Sequence, residues 1–424
     1  MDLLIRNAKI IDPSSPYNRQ KRDIYIKDNI ISKIDEDIHV NDCPTLDLKG
    51  KNIAPGFCEI MADFCDPGNE HREDIFSGSL AATFGGFTTV CVLPDTEPIL
   101  QSKTQVEYLY SKGKPLPVKI LPYGAVSEDL KGFAPTEMID MRHAGAVAFT
   151  DAPNPIHNDA VLLRALQYTQ PLNATIVDVP YSKALASEGQ INESSTSVML
   201  GMKGISNLSE YIVVERNIRI LEYSGGQLHL AGISTKESIA AIRKAKEKGL
   251  NVSASTYLHL LVLDDTALLD FDTNLKVMPP LRDVEDVVAL KSAVSDGTLD
   301  CLSSQHIPWD TENKRLEFDL AAFGIIGLET AFGLANQLFH ANLRDERIIE
   351  LLSINPRKIL QIKPVSIHEG YEAEFVFIDF EKDWVFSEKD IKSKSKNTPF
   401  IGTRMKGKIL GIYNKGQLIW HDKS

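Results

Sequence analysis

Residues 227–255, QLHLAGISTKESIAAIRKAKEKGLNVSAS, carry the pattern that decides the fold. QLHLAGI is an apolar run with the length of a buried strand. Ser234 and Glu237 stand three residues apart, the spacing of a capping box, and predict a helix over 238–248. Gly249 supplies the residue type that ends helices in the left-handed conformation, and 251–255 begins a second strand. Strand, crossover helix, strand in so short a stretch means two parallel strands joined right-handedly.

The alternation continues outward in both directions. TTVCVL (88–93), after Gly85 and Gly86, predicts a buried strand, as do 145–149 and 174–178. Asn355 and Pro356 predict the start of a late helix, with proline at its first position. No glycine-rich phosphate loop follows any of these strands, so a closed barrel is favoured over a doubly wound sheet. The two ends read differently. Short alternating strands are expected at 3–5, 9–11, 23–27 and 30–34, then at 373–379, with a hairpin over 407–420. Neither end has enough strands for a stable sheet, which predicts that they pair. The expectation is an α/β chain: a (β/α)8 TIM-like barrel over 54–365 and a composite β-sandwich domain built from 1–53 and 366–424.

Of 424 residues, 43% are hydrophobic and 25% charged, enough for a sizeable core. A net charge of -12 argues against nucleic acid or an acidic membrane as partner. The five cysteines (Cys43, Cys58, Cys65, Cys91, Cys301) form no CxxC pair, which suits free thiols in a reducing compartment. The start MDLLIRNAKI lacks the basic head and apolar run of a signal peptide, and no run of about 18 apolar residues occurs. A cytoplasmic chain is expected.

Seven separated segments then carry a resemblance: APGF (54–57), LPDTEP (93–98), AFTD (148–151), HLAGIST (229–235), KVMPPLR (276–282), GIIGLET (324–330) and SKNTPF (395–400). In order and spacing they resemble the framework of the dihydroorotase family over essentially the whole chain. The resemblance implies the amidohydrolase barrel with a β-domain from both termini, and zinc as the family's cofactor.

The resemblance also locates the site, and there the chain departs from the family. The family carries two histidines one residue apart on its first barrel strand, where residues i and i+2 project to the same side. In GFCEIMADFCDPG (56–68), Met61 and Asp63 hold those positions, and Cys65 holds that of a substrate-binding arginine. Val179, after Asp178, stands where the next histidine is expected, and Gly232 where a later one is. In SQHIPW (304–309), Gln305 replaces the carboxylate that serves as general base. Asp151 alone persists among ligand-like positions, followed by Ala152. At substrate positions Asp95 and Met278 each replace an asparagine, and a carboxylate at 95 repels an anionic substrate. Metal-made hydroxide is needed to open a cyclic amide at neutral pH, and zinc takes at least three ligands, so no metal is expected to be held.

His229 in its apolar strand, His306, and His259 beside Leu258 are read as structural. Glu59, Asp63 and Asp66 raise a hard-cation site, against which Asp66-Pro67-Gly68 reads more simply as a turn. Lys276 and Arg282 are expected to anchor the Pro279-Pro280 loop. The leading expectation is a dihydroorotase-like protein of pyrimidine biosynthesis that has lost catalysis and serves as structural or regulatory partner of aspartate carbamoyltransferase, with which the resemblance implies assembly. A second is an active dihydroorotase or related cyclic amidohydrolase using Asp151, Gln305 and His306. A third is a scaffolding protein unrelated to pyrimidines. A homodimer is expected.

Overall fold

The computed structural model describes residues 2–341 and 343–421. Eight parallel strands form the barrel: β6 (Phe57–Ala62), β7 (Phe87–Val92), β8 (Lys119–Pro122), β9 (Phe149–Thr150), β10 (Ile176–Asp178), β13 (Leu228–Leu230), β14 (Val252–Tyr257) and β15 (Cys301–Ser303). Two ladders, β6-β7-β8 and β9-β10-β13-β14-β15, carry the pairing. They close on each other where Gly124 N donates to Ala148 O, and where Asp63 N donates to His306 O at 2.8 Å. β11 (Ile191–Asn192) and β12 (Gly204–Ile205) form a small parallel pair of their own. Every residue of β6 and β7 is buried, as befits strands covered on both faces.

The stretch that decided the fold forms β13, the helix Lys236–Glu247 and β14. Ile239, Ile242 and Ala245 make the helix's buried stripe, leaving most of its charges on the solvent side. The cap differs from expectation. Thr235, not Ser234, accepts the first-turn N–H, from Ser238. Ser234 is taken by the buried Glu210 carboxylate, which accepts from the Ser234 and Thr235 backbone N–H groups at 3.0–3.1 Å.

Two further expectations needed correction. Of 145–149 only Phe149 joins a strand, because Gly145 (φ 113) is still ending the helix Met138–Ala144. Asn355 and Pro356 open the helix Asn355–Ile359, with proline in its first turn as expected, but Asn355 does not cap it. That helix continues a helical run whose turn Glu350–Ile354 is a π-helix, a widening suited to a proline that lacks an N–H and crowds the preceding turn. Asn355 instead donates its amide to Asp300 O.

Both chain ends meet in one eight-stranded sheet. β1 (Leu3–Ile10), β2 (Lys21–Lys27), β3 (Ile30–Asp35), β4 (Thr45–Asp47) and β5 (Asn52–Pro55) come from the start, and β16 (Phe375–Val385), β17 (Arg404–Asn414) and β18 (Gln417–Trp420) from the end. The order is β18-β17-β16-β5-β1-β2-β3, with β4 beside β1. A core of Leu3, Ile5, Ile24, Ile26, Phe375, Phe377 and Tyr413 sits under it. β5 runs into barrel strand β6 through Gly56, where a Cβ would lie 2.2 Å from the Thr88 hydroxyl; only glycine lets sheet and barrel join so closely.

Candidate functional site

A cavity of about 430 Å³ opens at the C-terminal ends of the barrel strands, where sites of such barrels lie. Six positions singled out from sequence line it together: Met61, Asp63, Asp95, Val179, Met278 and Gln305. Arg72, Leu93, Tyr181, Tyr257, Ile307, Trp309 and Phe323 complete much of the wall. Its size falls within the range of small-molecule pockets.

Asp63 follows the end of β6 and is buried. Its Oδ2 pairs with Arg72 Nη2 at 3.0 Å, and its Oδ1 accepts from Cys65 N at 2.6 Å. The Arg72 guanidinium donates through Nε to Pro308 O and stacks 3.7 Å from the centroid of Trp309. Thus a charge pair clamped against an aromatic ring stands at one expected histidine position. Cys65 takes a left-handed conformation (φ 55) that turns it away, and it does not line the cavity. Burial, then the Asp63 charge, push its thiol far above the ordinary range.

Gln305, also left-handed (φ 49), donates its amide to Met278 O at 2.6 Å. A carbonyl can only accept, which fixes Nε2 there and leaves Oε1 facing elsewhere. That Oε1, sealed from solvent, meets no donor among the described residues, and neither does Asp95 Oδ1. Burial, then repulsion from Asp63, drive the Asp95 carboxyl well above the usual carboxylate range, with Arg72 opposing.

Gly232 (φ 71) does not line this cavity, and a Cβ there would fall 2.6 Å from the Tyr257 ring. The phenol fills the space that a side chain at 232 would use. Asp151 is likewise elsewhere. It is buried and accepts from Val126 N and Ser127 N, each at 2.9 Å, and from the Ser127 hydroxyl, which ties down the loop after β8. His306 is fully buried behind the wall, with Nε2 3.2 Å from the Ser393 hydroxyl and 3.5 Å from Glu73. Burial works against the Glu73 charge, yet the bonds from His306 and Ser393 hold its carboxyl below the ordinary value. Asp151, Gln305 and His306 are therefore not brought together.

The remaining groups are structural. His229 sits between the Ser253 and Ser255 hydroxyls at 2.9 Å each, and burial pushes it down to about 3. Asp178 accepts from Ile156 N and from the Asn217 amide, while burial pushes its carboxyl up to about 6. Glu59 accepts from Met61 N, Ser303 Oγ and Ser304 N; Asp66 pairs with Lys112. These acids serve separate partners and do not converge. Arg282 bonds Ser234, Asn192 and Ile205. Lys276 and Lys314 donate to carbonyls of Phe318, Asp319, Ala322 and Gly324, fastening the loop that walls one side of the cavity. Burial pushes them down to about 8 and about 7.

Zinc does not fit this donor set. Among the described residues no group of three or more His, Cys, Asp or Glu is arranged to hold a metal. The positions available offer a thioether, a carboxylate already paired with arginine, a valine and a glycine under a tyrosine ring, short of the three N, O or S ligands that zinc requires.

Arg72 was invisible as a site residue in the sequence, where HRED (71–74) reads as a solvated charge run. Its partners Pro308 and Trp309 lie more than two hundred residues away. Tyr257 left no signal either, since the glycine it covers, Gly232, belongs to another strand's loop.

A family model described as Dihydro-orotase-like matches residues 50–238. A dihydroorotase of Caldicellulosiruptor saccharolyticus is 37% identical over 425 residues, covering 99% of each chain. A dihydroorotase of Syntrophus aciditrophicus is 35% identical over 426 residues, covering 100% of each. In fold, the chain is similar to an L-hydantoinase (dihydropyrimidinase) from Arthrobacter aurescens, with a TM-score of 0.88 at 21% identity over 100% of this chain and 97% of that one.

Proposed function

The chain belongs to the dihydroorotase family of amidohydrolases, and from that premise we propose that it serves pyrimidine biosynthesis without interconverting dihydroorotate and carbamoyl aspartate itself. One observation carries the reading: the Tyr257 ring and the Asp63–Arg72 pair fill the places where metal ligands are expected. Hydroxide at neutral pH has to be made on a metal that lowers the pKa of water to near 7. With Gln305 in place of a carboxylate, the base that would handle its proton is missing as well.

Framework segments persist while site positions have changed, a pattern that suits a chain kept for its surface. The proposed role is structural or regulatory support of aspartate carbamoyltransferase. Affinity capture of the chain from its native cell should bring transcarbamoylase activity with it, and depletion of the chain should lower that activity. A chain that elutes alone, with transcarbamoylase unaffected, defeats the partnership; dihydroorotate hydrolysis by the purified chain defeats the loss of catalysis.

A further inference from the structure

We infer that the mouth cavity is a binding site for a small organic cation, a protonated amine or amidine carried on an apolar body. The inference rests on the non-catalytic reading of the same site.

Three observations converge. First, the ionisable groups lining the cavity are Asp63, Asp95 and Arg72, along with the Tyr181 and Tyr257 phenols. Asp63 and Arg72 neutralise each other across 3.0 Å, which leaves Asp95 as the one carboxyl in the cavity without a counter-charge of its own. Burial and Asp63 oppose its ionisation, and a cation seated beside it supplies the missing partner. Second, the unsatisfied polar atoms in this cavity are acceptors. Gln305 is 4% exposed, and its Oε1 has no donor among the described residues, as is true of Asp95 Oδ1. Buried acceptors without donors cost about 1–3 kcal/mol each in a folded protein. A few occur elsewhere in this chain, such as Gln190 Oε1 and Asn336 Oδ1, but those of Gln305 and Asp95 belong to residues that line one cavity. A ligand that donates N–H groups relieves whichever of them turns to face it; one that brings only acceptors relieves neither. Third, Met61, Leu93, Val179, Met278, Ile307 and Phe323 give the rest of the wall an apolar character that suits a hydrocarbon or aryl body.

Arg72 does not reverse this preference. Its guanidinium is spent on Asp63, Pro308 O and the face of Trp309, so an anion entering the cavity would have to compete with Asp63 while facing Asp95. The chemistry is the inverse of a site for dihydroorotate or carbamoyl aspartate.

The test uses three ligands of one shape: benzamidine, benzamide and benzoate, with dihydroorotate as a fourth. Each is titrated into the purified full-length chain by calorimetry and by thermal shift. Benzamidine should bind and raise the melting temperature. Asp95→Asn should weaken it by about tenfold or more, the loss expected for a charge-assisted bond. Gln305→Leu should weaken it less, and Met61→Trp, which fills the cavity, should abolish it. Benzoate or dihydroorotate binding as tightly as benzamidine would overturn the inference, as would no binding by any of the four or indifference to Asp95→Asn in a variant shown to be folded. Dihydroorotate turnover is measured on the same preparation. Failed amine binding without turnover sinks this inference alone, whereas turnover sinks the non-catalytic reading.

Discussion

Two buried charge clusters, one at each end of the barrel, are built in opposite ways. At the N-terminal ends of the first strands, Glu374 accepts from the Thr88 hydroxyl at 2.6 Å, from Lys119 Nζ at 2.7 Å, and from Arg357. Arg357 also donates to Gly56 O, Ser353 O and the Ser353 hydroxyl. Burial works against the Glu374 charge, yet Arg357 and Lys119 hold its carboxyl down to about 2. At the C-terminal mouth, Asp63 and Arg72 are paired, but Asp95 and Gln305 keep oxygens with no donor among the described residues. A saturated cluster locks sheet to barrel. An unsaturated one, facing a cavity, gives up stability in the way that suits the proposed binding role.

The largest effect should come from breaking the saturated end. Glu374→Gln leaves Arg357 with an uncompensated charge, while Lys119 keeps only Glu372, and should cost about 3–5 kcal/mol of stability, read from denaturant unfolding. A variant close to wild type would show that the Glu374 cluster does not lock the sheet to the barrel.

The same contrast recurs in two histidines. His229 has both nitrogens bonded to serines, whereas His259, stacked on Tyr257, has an Nε2 with no partner among the described residues. Burial pushes both down to about 3. The unfolded chain takes up protons on them near pH 6.5 while the folded chain does not, so stability falls as pH drops from about 6.5 toward about 3. The slope is about 1.4 kcal/mol per pH unit for each histidine. Replacing either should flatten the acid limb of a stability–pH curve. At neutral pH His229→Phe should destabilise by stranding two serine hydroxyls, whereas His259→Phe should not.

Restoring one lost ligand should not restore a metal. Gly232→His drives a side chain into the Tyr257 ring from a left-handed backbone and should cost about 1–3 kcal/mol, with no gain in bound zinc by elemental analysis. Tight zinc binding in that single variant would mean that the phenol moves aside freely. The smallest effect has the opposite sign. Asp95→Asn removes a carboxyl that burial and Asp63 disfavour as a charge, and should stabilise the unliganded chain by about 1 kcal/mol. Destabilisation there would place the mouth in the same class as the saturated end.

What the sequence made legible follows from what each signal encodes. Strand–helix alternation and the framework segments gave the barrel and the pairing of both ends into one β-domain, expected as a sandwich and found as a single eight-stranded sheet, because each is a local pattern repeated many times. Period-two geometry placed Met61 and Asp63 on one side of β6, and both line the cavity. The reading failed where backbone conformation or distant contacts decide. Cys65 turns away through a positive φ and Asp151 is claimed by Ser127, whereas His306, held by Ser393, keeps the structural reading it was given. Arg72 is held in the site by Asp63 and by Pro308 and Trp309, the last two far along the chain. Ser234 satisfied a capping spacing, yet Glu210 took its hydroxyl first.

The most direct test is the metal content of the purified chain after incubation with excess zinc and desalting, paired with dihydroorotate hydrolysis on the same sample. The expected result is well under about one zinc per chain and no turnover. One or two tightly held zinc ions per chain, with hydrolysis above the metal-free blank, would contradict it.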